Sequence, residues 1–267
     1  MSLRVNPDVA AGTHPYISTG LKSNKFGIPH DKAVEAYRMA ARLPRIEVAG
    51  IDCHIGSQIT EAAPYLEALD RVLDLVEAIE HNGVRLHHID LGGGLGIRYE
   101  NEQPPSADDL MKSMLARIDQ RGHGHREVLI EPGRSLVGNA GVLLTNVEVL
   151  KPGDAKNFCV VDAAMNDQIR PALYQAWMGI EPCTLRADTP ARTWDVVGPV
   201  CESGDWLGHD RSLAVREGDT LAILSAGAYG MAMASNYNTR PRAAEVMVDD
   251  GQHWVIRPRE AVKALFV

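Results

Sequence analysis

Apolar and polar positions recur with two different periods along the chain, and the change between them divides it. From residue 46 to 131, short apolar runs alternate with longer stretches in which apolar residues return every three or four positions. EVAGIDCHIG predicts a buried strand. The following PYLEALDRVLDLVEAIEHNG sets Leu66, Leu69, Val72, Leu73, Val76 and Ile79 on one helical face and predicts a stop at Asn82-Gly83. LHHIDLGGG predicts the next strand. SADDLMKSMLARIDQ predicts a helix opened by Ser106 and Asp109 in a capping-box variant, with Leu110, Met114 and Ile118 along its inner stripe. EVLIEPGRS is a strand again. Upstream, SLRVNPD and DKAVEAYRMAARLP add one more βα unit to the series. Consecutive βα units with short loops imply parallel strands joined by right-handed crossovers.

From Gly141 the pattern shortens. GVLLTNVEVL, NFCVVDA, RTWDVVGPVC, DTLAILSAG and AAEVMVDDGQHWVIRPR are strand-like runs separated by turns, and Asp250-Gly251 predicts a hairpin. The expected organisation is an α/β part over 1–140 and a mainly antiparallel β domain over 141–267, with one helical piece around IRPALYQAWMG.

Composition changes this picture little. The 267 residues are 45% hydrophobic and 23% charged, the usage of an ordinary globular protein. The formal charge of -8, with no basic cluster along the chain, argues against a nucleic-acid partner. No apolar run is long enough to span a bilayer. MSLRVNPD lacks the plan of a secretion signal. Cys53, Cys159, Cys183 and Cys201 share no CxxC spacing, so a zinc knuckle is not expected, and reduced thiols in a cytoplasmic protein are.

Chemistry gathers after three successive strands, at His54-Ile55-Gly56-Ser57-Gln58, Gly92-Gly93-Gly94-Leu95-Gly96 and Glu131-Pro132-Gly133-Arg134. In a parallel βα series the carboxyl ends of the strands share one face, so these motifs should converge. The glycine run is not a dinucleotide fingerprint, because Ile97 stands where the third glycine belongs and a polar loop precedes the helix. A strand-end turn whose bare amides face a phosphate fits better, with a purely structural turn as the alternative. Imidazole, hydroxyl, carboxylate and guanidinium beside such a cradle suit pyridoxal phosphate. Glycine amides with Ser57 or Arg134 would take the phosphate, Glu131 would keep the ring nitrogen protonated, and His54 would stack on the ring. A protonated pyridine is the electron sink that stabilises a carbanion at a substrate α-carbon.

Taken together and in order, CHIGSQ, IDLGGGLGI, IEPGRS, DAAMNDQIRPALY, GPVCESGD and GAYGMAMASNYN make the chain resemble the diaminopimelate decarboxylase family over essentially its whole length. The resemblance implies the C-terminal half of a pyridoxal-phosphate-binding (β/α)8 barrel of the alanine-racemase type, followed by a β domain. It implies a homodimer with shared sites that decarboxylates meso-diaminopimelate to L-lysine. By motif, His54, Ser57, Gly93, Gly94, Glu131, Pro132, Gly133, Arg134 and Tyr229 would surround the cofactor. Arg134, Arg170 and Tyr174 would grip the distal carboxylate of the substrate, suited by the planar donor fork of a guanidinium. Glu202 would receive the distal ammonium, with Tyr229 nearby, and Cys201 would donate the proton that replaces the lost carboxylate. No metal is implied.

One departure stands out. The family holds its cofactor through a lysine on an early barrel strand, and none of Lys22, Lys25, Lys32, Lys112, Lys151, Lys156 and Lys263 lies in such a context. The expectation is a chain lacking the family's N-terminal portion, with exposed strand edges and no turnover alone. A non-catalytic homologue that binds cofactor or a decarboxylase subunit is the alternative, as is a decarboxylase of another diamino acid.

Other candidates read as structure. Cys53, Cys159 and Cys183 read as small buried residues, as Cys201 would outside its CESGD context. His123 and His125 read as part of a solvated loop rather than metal ligands, and Asp162 and Asp167 as turn formers. Without the family resemblance, Arg170 would read as a surface residue at a helix start.

Overall fold

A computed structural model describes residues 1–12, 19–21 and 24–266, and Lys22 lies outside them. The chain divides into two compact units, Met1–Leu136 and Val137–Val267.

Among the described residues the N-terminal unit holds five strands: β1 (Ser2–Asn6), β2 (Ile28–Pro29), β3 (Gly50–Cys53), β4 (His88–Asp90) and β5 (Glu127–Leu129). All pairs are parallel and the order is β2-β1-β3-β4-β5. Three helices connect them, α1 (Ala33–Ala40), α2 (Ala63–His81) and α3 (Ala107–Gln120). Each step from β1 through β3 and β4 to β5 goes the same way across the sheet, so right-handed crossovers put the helices on one face. That face is apolar. Val5, Ile51, Cys53 and Ile89 of the strands meet Tyr37 of α1, Leu69, Val72, Leu73 and Val76 of α2, and Leu110, Met114 and Ile118 of α3, all buried. Strand period two turns Arg4, Asp52 and Asp90 to the opposite face.

Local chemistry sets the ends of these helices. The Ser106 side chain accepts the Asp109 N–H at the start of α3, as the sequence pattern predicts. α2 closes at Asn82, and Gly83 follows with φ +83. The two-residue β2 has no periodic signal of its own and exists because Val5 of β1 pairs with Ile28.

Within GHGH, His125 is exposed as expected, but His123 is not. His123 is 7% exposed, its Nδ1 accepting from Arg126 Nε at 3.2 Å and its Nε2 standing 3.3 Å from Glu77. It belongs to an ion network with Glu80 and Arg121 rather than to a solvated loop.

The C-terminal unit follows the four-residue helical turn α4 (Arg134–Val137). Its strands are β6 (Leu143–Lys151), β7 (Phe158–Val161), β8 (Ile180–Pro182), β9 (Arg192–Val197), β10 (Trp206–Leu213), β11 (Thr220–Ile223), β12 (Glu245–Asp249) and β13 (Gln252–Arg257). The first six form one sheet, order β10-β9-β7-β6-β11-β8. Its pairs are antiparallel except β7–β9, which is parallel. β12 and β13 form the hairpin that Asp250-Gly251 predicts, with both turn residues at positive φ. The predicted helical piece contracts to α5 (Arg170–Tyr174), because Gln175 turns left-handed at φ 53. β8 and β10 carry weak patterns and gain their form from pairing. No helix among the described residues is long and apolar enough to cross a membrane.

Candidate functional site

The three motifs of the N-terminal unit meet at the carboxyl ends of β3, β4 and β5. They are laced together by one backbone-to-imidazole bond, Gly93 N–H to His54 Nδ1 at 3.2 Å, and by backbone bonds from Glu131 N–H to Gly92 O at 2.8 Å and from Ile59 N–H to Gly94 O at 2.9 Å. The crowding explains the glycines. A Cβ on Gly92 would stand 2.4 Å from Cys53 O, on Gly93 2.1 Å from Glu131 O, and on Gly94 2.2 Å from Gly56 O. Backbone from the neighbouring strand ends therefore requires the run, whatever binds in front of it.

His54 is half-buried. Burial first, then the charge of Arg4, lower its pKa, so its imidazole is neutral near pH 7. Tyr65 buttresses the turn from behind, its Oη donating to Gly93 O at 3.2 Å, and Gln58 clamps it by pairing both amide atoms with the backbone of Ile97. Neither residue carries a role predicted from sequence: Tyr65 lies inside the predicted helix but off its predicted apolar face, and Gln58 closes the His54 motif.

Arg134 is 5% exposed, and its guanidinium donates to Ser57 Oγ at 3.1 Å and to the hydroxyl of Tyr99. Ser57 and Arg134, fourth and last of their motifs, thus form one polar corner with Tyr99 as an unanticipated third member. Gly133 is open, and Pro132 lines an apolar cavity of about 240 Å³ behind the turn with Tyr65, Leu110 and Met114.

On the face away from the helices, Asp52, Asp90 and Glu131 place carboxylate oxygens within 4.8 Å of one another. Parallel register puts Asp52 beside Asp90. Burial, then the charges of Asp90 and Glu131, push the Asp52 carboxyl up to about 6, against the opposing pull of Arg4. The trio gives the strand ends a negative centre. Among the described residues no lysine stands on a strand of this unit.

The remaining candidates lie in the C-terminal unit. Cys201 and Glu202 sit on the loop between β9 and β10, both exposed, so Cys201 is not a buried apolar residue. Cys183, expected to be buried, is exposed too. Asp205, 3% exposed, anchors this loop by accepting Val200 N–H and Met165 N–H, each at 2.7 Å. Glu202 Oε2 accepts the Tyr237 hydroxyl at 2.6 Å. Arg170 is buried at 6%, with Nη1 3.2 Å from Met178 Sδ, which overturns the surface reading. Tyr174 is half-buried. Tyr229 is 41% exposed at φ +60, a backbone region that aromatic residues rarely occupy. Asp167 serves its own turn, accepting Ala164 N–H at 3.0 Å, whereas Asp162 ties to β6, accepting Asn146 N–H at 2.8 Å and the Thr145 hydroxyl at 2.6 Å.

With this geometry in place, comparison with known proteins decides the family. Residues 1–138 match the pyridoxal-binding domain of the pyridoxal-dependent decarboxylases. The chain belongs to that family. It is 58% identical over 266 residues to the diaminopimelate decarboxylase of Pseudomonas fluorescens and 54% identical to that of Vibrio cholerae, covering 100% of this chain and 63% of each relative. The crystal structure of diaminopimelate decarboxylase from Helicobacter pylori complexed with L-lysine matches with a TM-score of 0.93 and 40% identity, over 99% of this chain and 65% of that one. The chain thus spans a little under two thirds of the length of these pyridoxal-dependent relatives.

Proposed function

We propose that the chain supplies the pyridoxal-phosphate pocket and the substrate-recognising loops of a diaminopimelate decarboxylase, which releases carbon dioxide from meso-diaminopimelate to leave L-lysine. The observation that carries the reading is the convergence of His54, the Gly92–Gly94 turn, Glu131 and the Ser57–Arg134 corner on adjacent strand ends. The five parallel strands belong, on this reading, to the C-terminal half of a (β/α)8 barrel in a cytoplasmic homodimer with shared sites.

The residues fit the cofactor's ring and phosphate. A neutral imidazole at His54 offers a flat, uncharged face for stacking, and Glu131, exposed at its strand end, offers a carboxylate to a pyridinium N–H. Gly93 N–H is taken by His54 Nδ1, and Arg134 and Ser57, with the strand-end amides of Gly94 and Gly133, offer donors to a phosphate. When bound, the cofactor supplies an electron sink for the carbon that loses its carboxylate. The chain's own residues do the rest: Arg170 and Tyr174, with Arg134, bind the distal carboxylate, Glu202 binds the distal ammonium, Tyr229 packs beside the cofactor, and Cys201 holds the proton delivered to the α-carbon. An exposed thiol on a loop braced by Asp205 suits that delivery.

Because no described lysine stands on a strand of the N-terminal unit, the chain binds cofactor without bonding to it and does not turn over alone. That observation also favours a second reading, a homologue that binds cofactor or a decarboxylase subunit without catalysis. Carbon dioxide release from diaminopimelate separates them. On the first reading, the purified chain with pyridoxal phosphate releases none, and release begins when the chain is joined to the part of its relatives' length that it does not span. Continued silence of the joined protein supports the second reading, and release at enzymatic rates from the chain alone overturns the claim that it cannot turn over. Release from ornithine, and not from diaminopimelate, overturns the substrate assignment.

A further inference from the structure

In the C-terminal unit, the carboxylate of Glu202 opens on a cavity of about 330 Å³ lined by Met165, Asn166, Ile169, Ser235 and Tyr237. We propose that Tyr237 is a positioning residue for Glu202, its phenol fixing one carboxylate oxygen so that the other is presented to the distal ammonium of a diamino acid. The inference rests on the reading of Glu202 as the ammonium partner.

The Tyr237 hydroxyl donates to Glu202 Oε2 at 2.6 Å, the short range of a bond between a hydroxyl and a charged oxygen. Glu202 is exposed and would otherwise sample many rotamers, so a tether made before binding removes an ordering cost at the moment of binding. Oε1 stays available beside Gly204, where a Cβ would already come within 3.2 Å of it. Met165 and Ile169 give the cavity an apolar wall suited to a methylene chain, and Glu202 and Tyr237 are its ionisable lining residues.

Tyr237 is itself held in place. Its N–H donates to Ser235 Oγ at 3.3 Å, and Ser235 is bound through its backbone to Asn166, N–H to O at 3.0 Å and O from Nδ2 at 3.2 Å. On the other side, Asn236 Nδ2 donates to Arg240 O at 3.0 Å and Glu260 Oε2 at 2.6 Å. Asn238 and Thr239 follow at φ 57 and 56, and a β-branched threonine is a true outlier there. Strained backbone persists where surrounding structure over-determines it, here by the ties that place the phenol. The contact also raises the Tyr237 pKa, chiefly through its hydrogen bond to Glu202.

Two measurements test the proposal. In the isolated chain, Tyr237 ionisation is obtained by subtracting the phenolate titration of Tyr237→Phe. It lies above the ordinary tyrosine range, and moves down in Glu202→Gln. An unmoved titration overturns the contact. In the chain joined to the rest of its relatives' length and loaded with cofactor, Glu202→Gln raises KM for diaminopimelate about 100-fold. Tyr237→Phe raises it roughly 10-fold with kcat within about twofold, and adds nothing in the Glu202→Gln background. If Glu202→Gln leaves KM unchanged, the ammonium assignment fails. If it raises KM while Tyr237→Phe does not, the positioning role alone fails.

Discussion

The buried carboxylate of Asp205 ties Val200 N–H to Met165 N–H across 35 positions of sequence, through two bonds of 2.7 Å. It thereby joins the loop that carries Cys201 and Glu202 to the turn that leads into Arg170. Asp205→Ala leaves both amides without an acceptor, and the expected loss is roughly 2–4 kcal/mol of stability in urea unfolding. Asp205→Asn retains one acceptor oxygen and should lose about half as much.

The strand-end glycines give a paired test of crowding. Gly93→Ala forces a methyl group to within 2.1 Å of Glu131 O, so backbone must move, at about 3 kcal/mol or more by thermal or denaturant unfolding. Gly133→Ala, with nothing within 4 Å of the new carbon, should unfold within about 0.5 kcal/mol of the parent.

Asp52 makes stability depend on pH. Its folded carboxyl titrates at about 6, above the ordinary value of 3.8, so folding favours its protonated form. The resulting penalty is absent below pH 4, grows as pH rises from 4 through 6, and is complete above. Asp52→Asn removes it. The variant should gain about 1–3 kcal/mol over the parent at pH 7.5 and nothing at pH 4, read by urea unfolding at both pH values.

Thiol reactivity separates the four cysteines. Cys53 and Cys159 are 2% and 0% exposed, and burial pushes both thiols up to about 12, whereas Cys183 and Cys201 face solvent. An aromatic disulfide reagent should modify two thiols promptly in the native chain and four in denaturant. Cys201→Ser should reduce the prompt count to one.

Much of the architecture was written in periodicity. α2 and α3 announce themselves by Leu69, Val72, Val76, Leu110 and Met114, and the strand-end motifs converge because parallel strands leave no other arrangement. What escaped was written in partners rather than pattern. β2 and β10 depend on pairing, and the buried place of His123 depends on Arg126 and Glu77. In the site, Tyr99 carries no signal and Tyr237 stands inside GAYGMAMASNYN without a role, since each acts through one hydroxyl that meets a distant charged group. The Asp52–Asp90 contact was readable in principle, from alternation plus parallel register.

The central claim is that the ends of β3, β4 and β5 form a pocket for a phosphorylated pyridine. Pyridoxine 5′-phosphate tests it most directly, because it lacks the aldehyde and cannot bond to surface lysines. The account predicts saturable binding to the chain by calorimetry, weakened about tenfold or more in His54→Ala and in Arg134→Lys, which keeps the charge but loses the donor fork. Equal affinity in the parent and both variants, or no binding by a parent chain that folds, would contradict it.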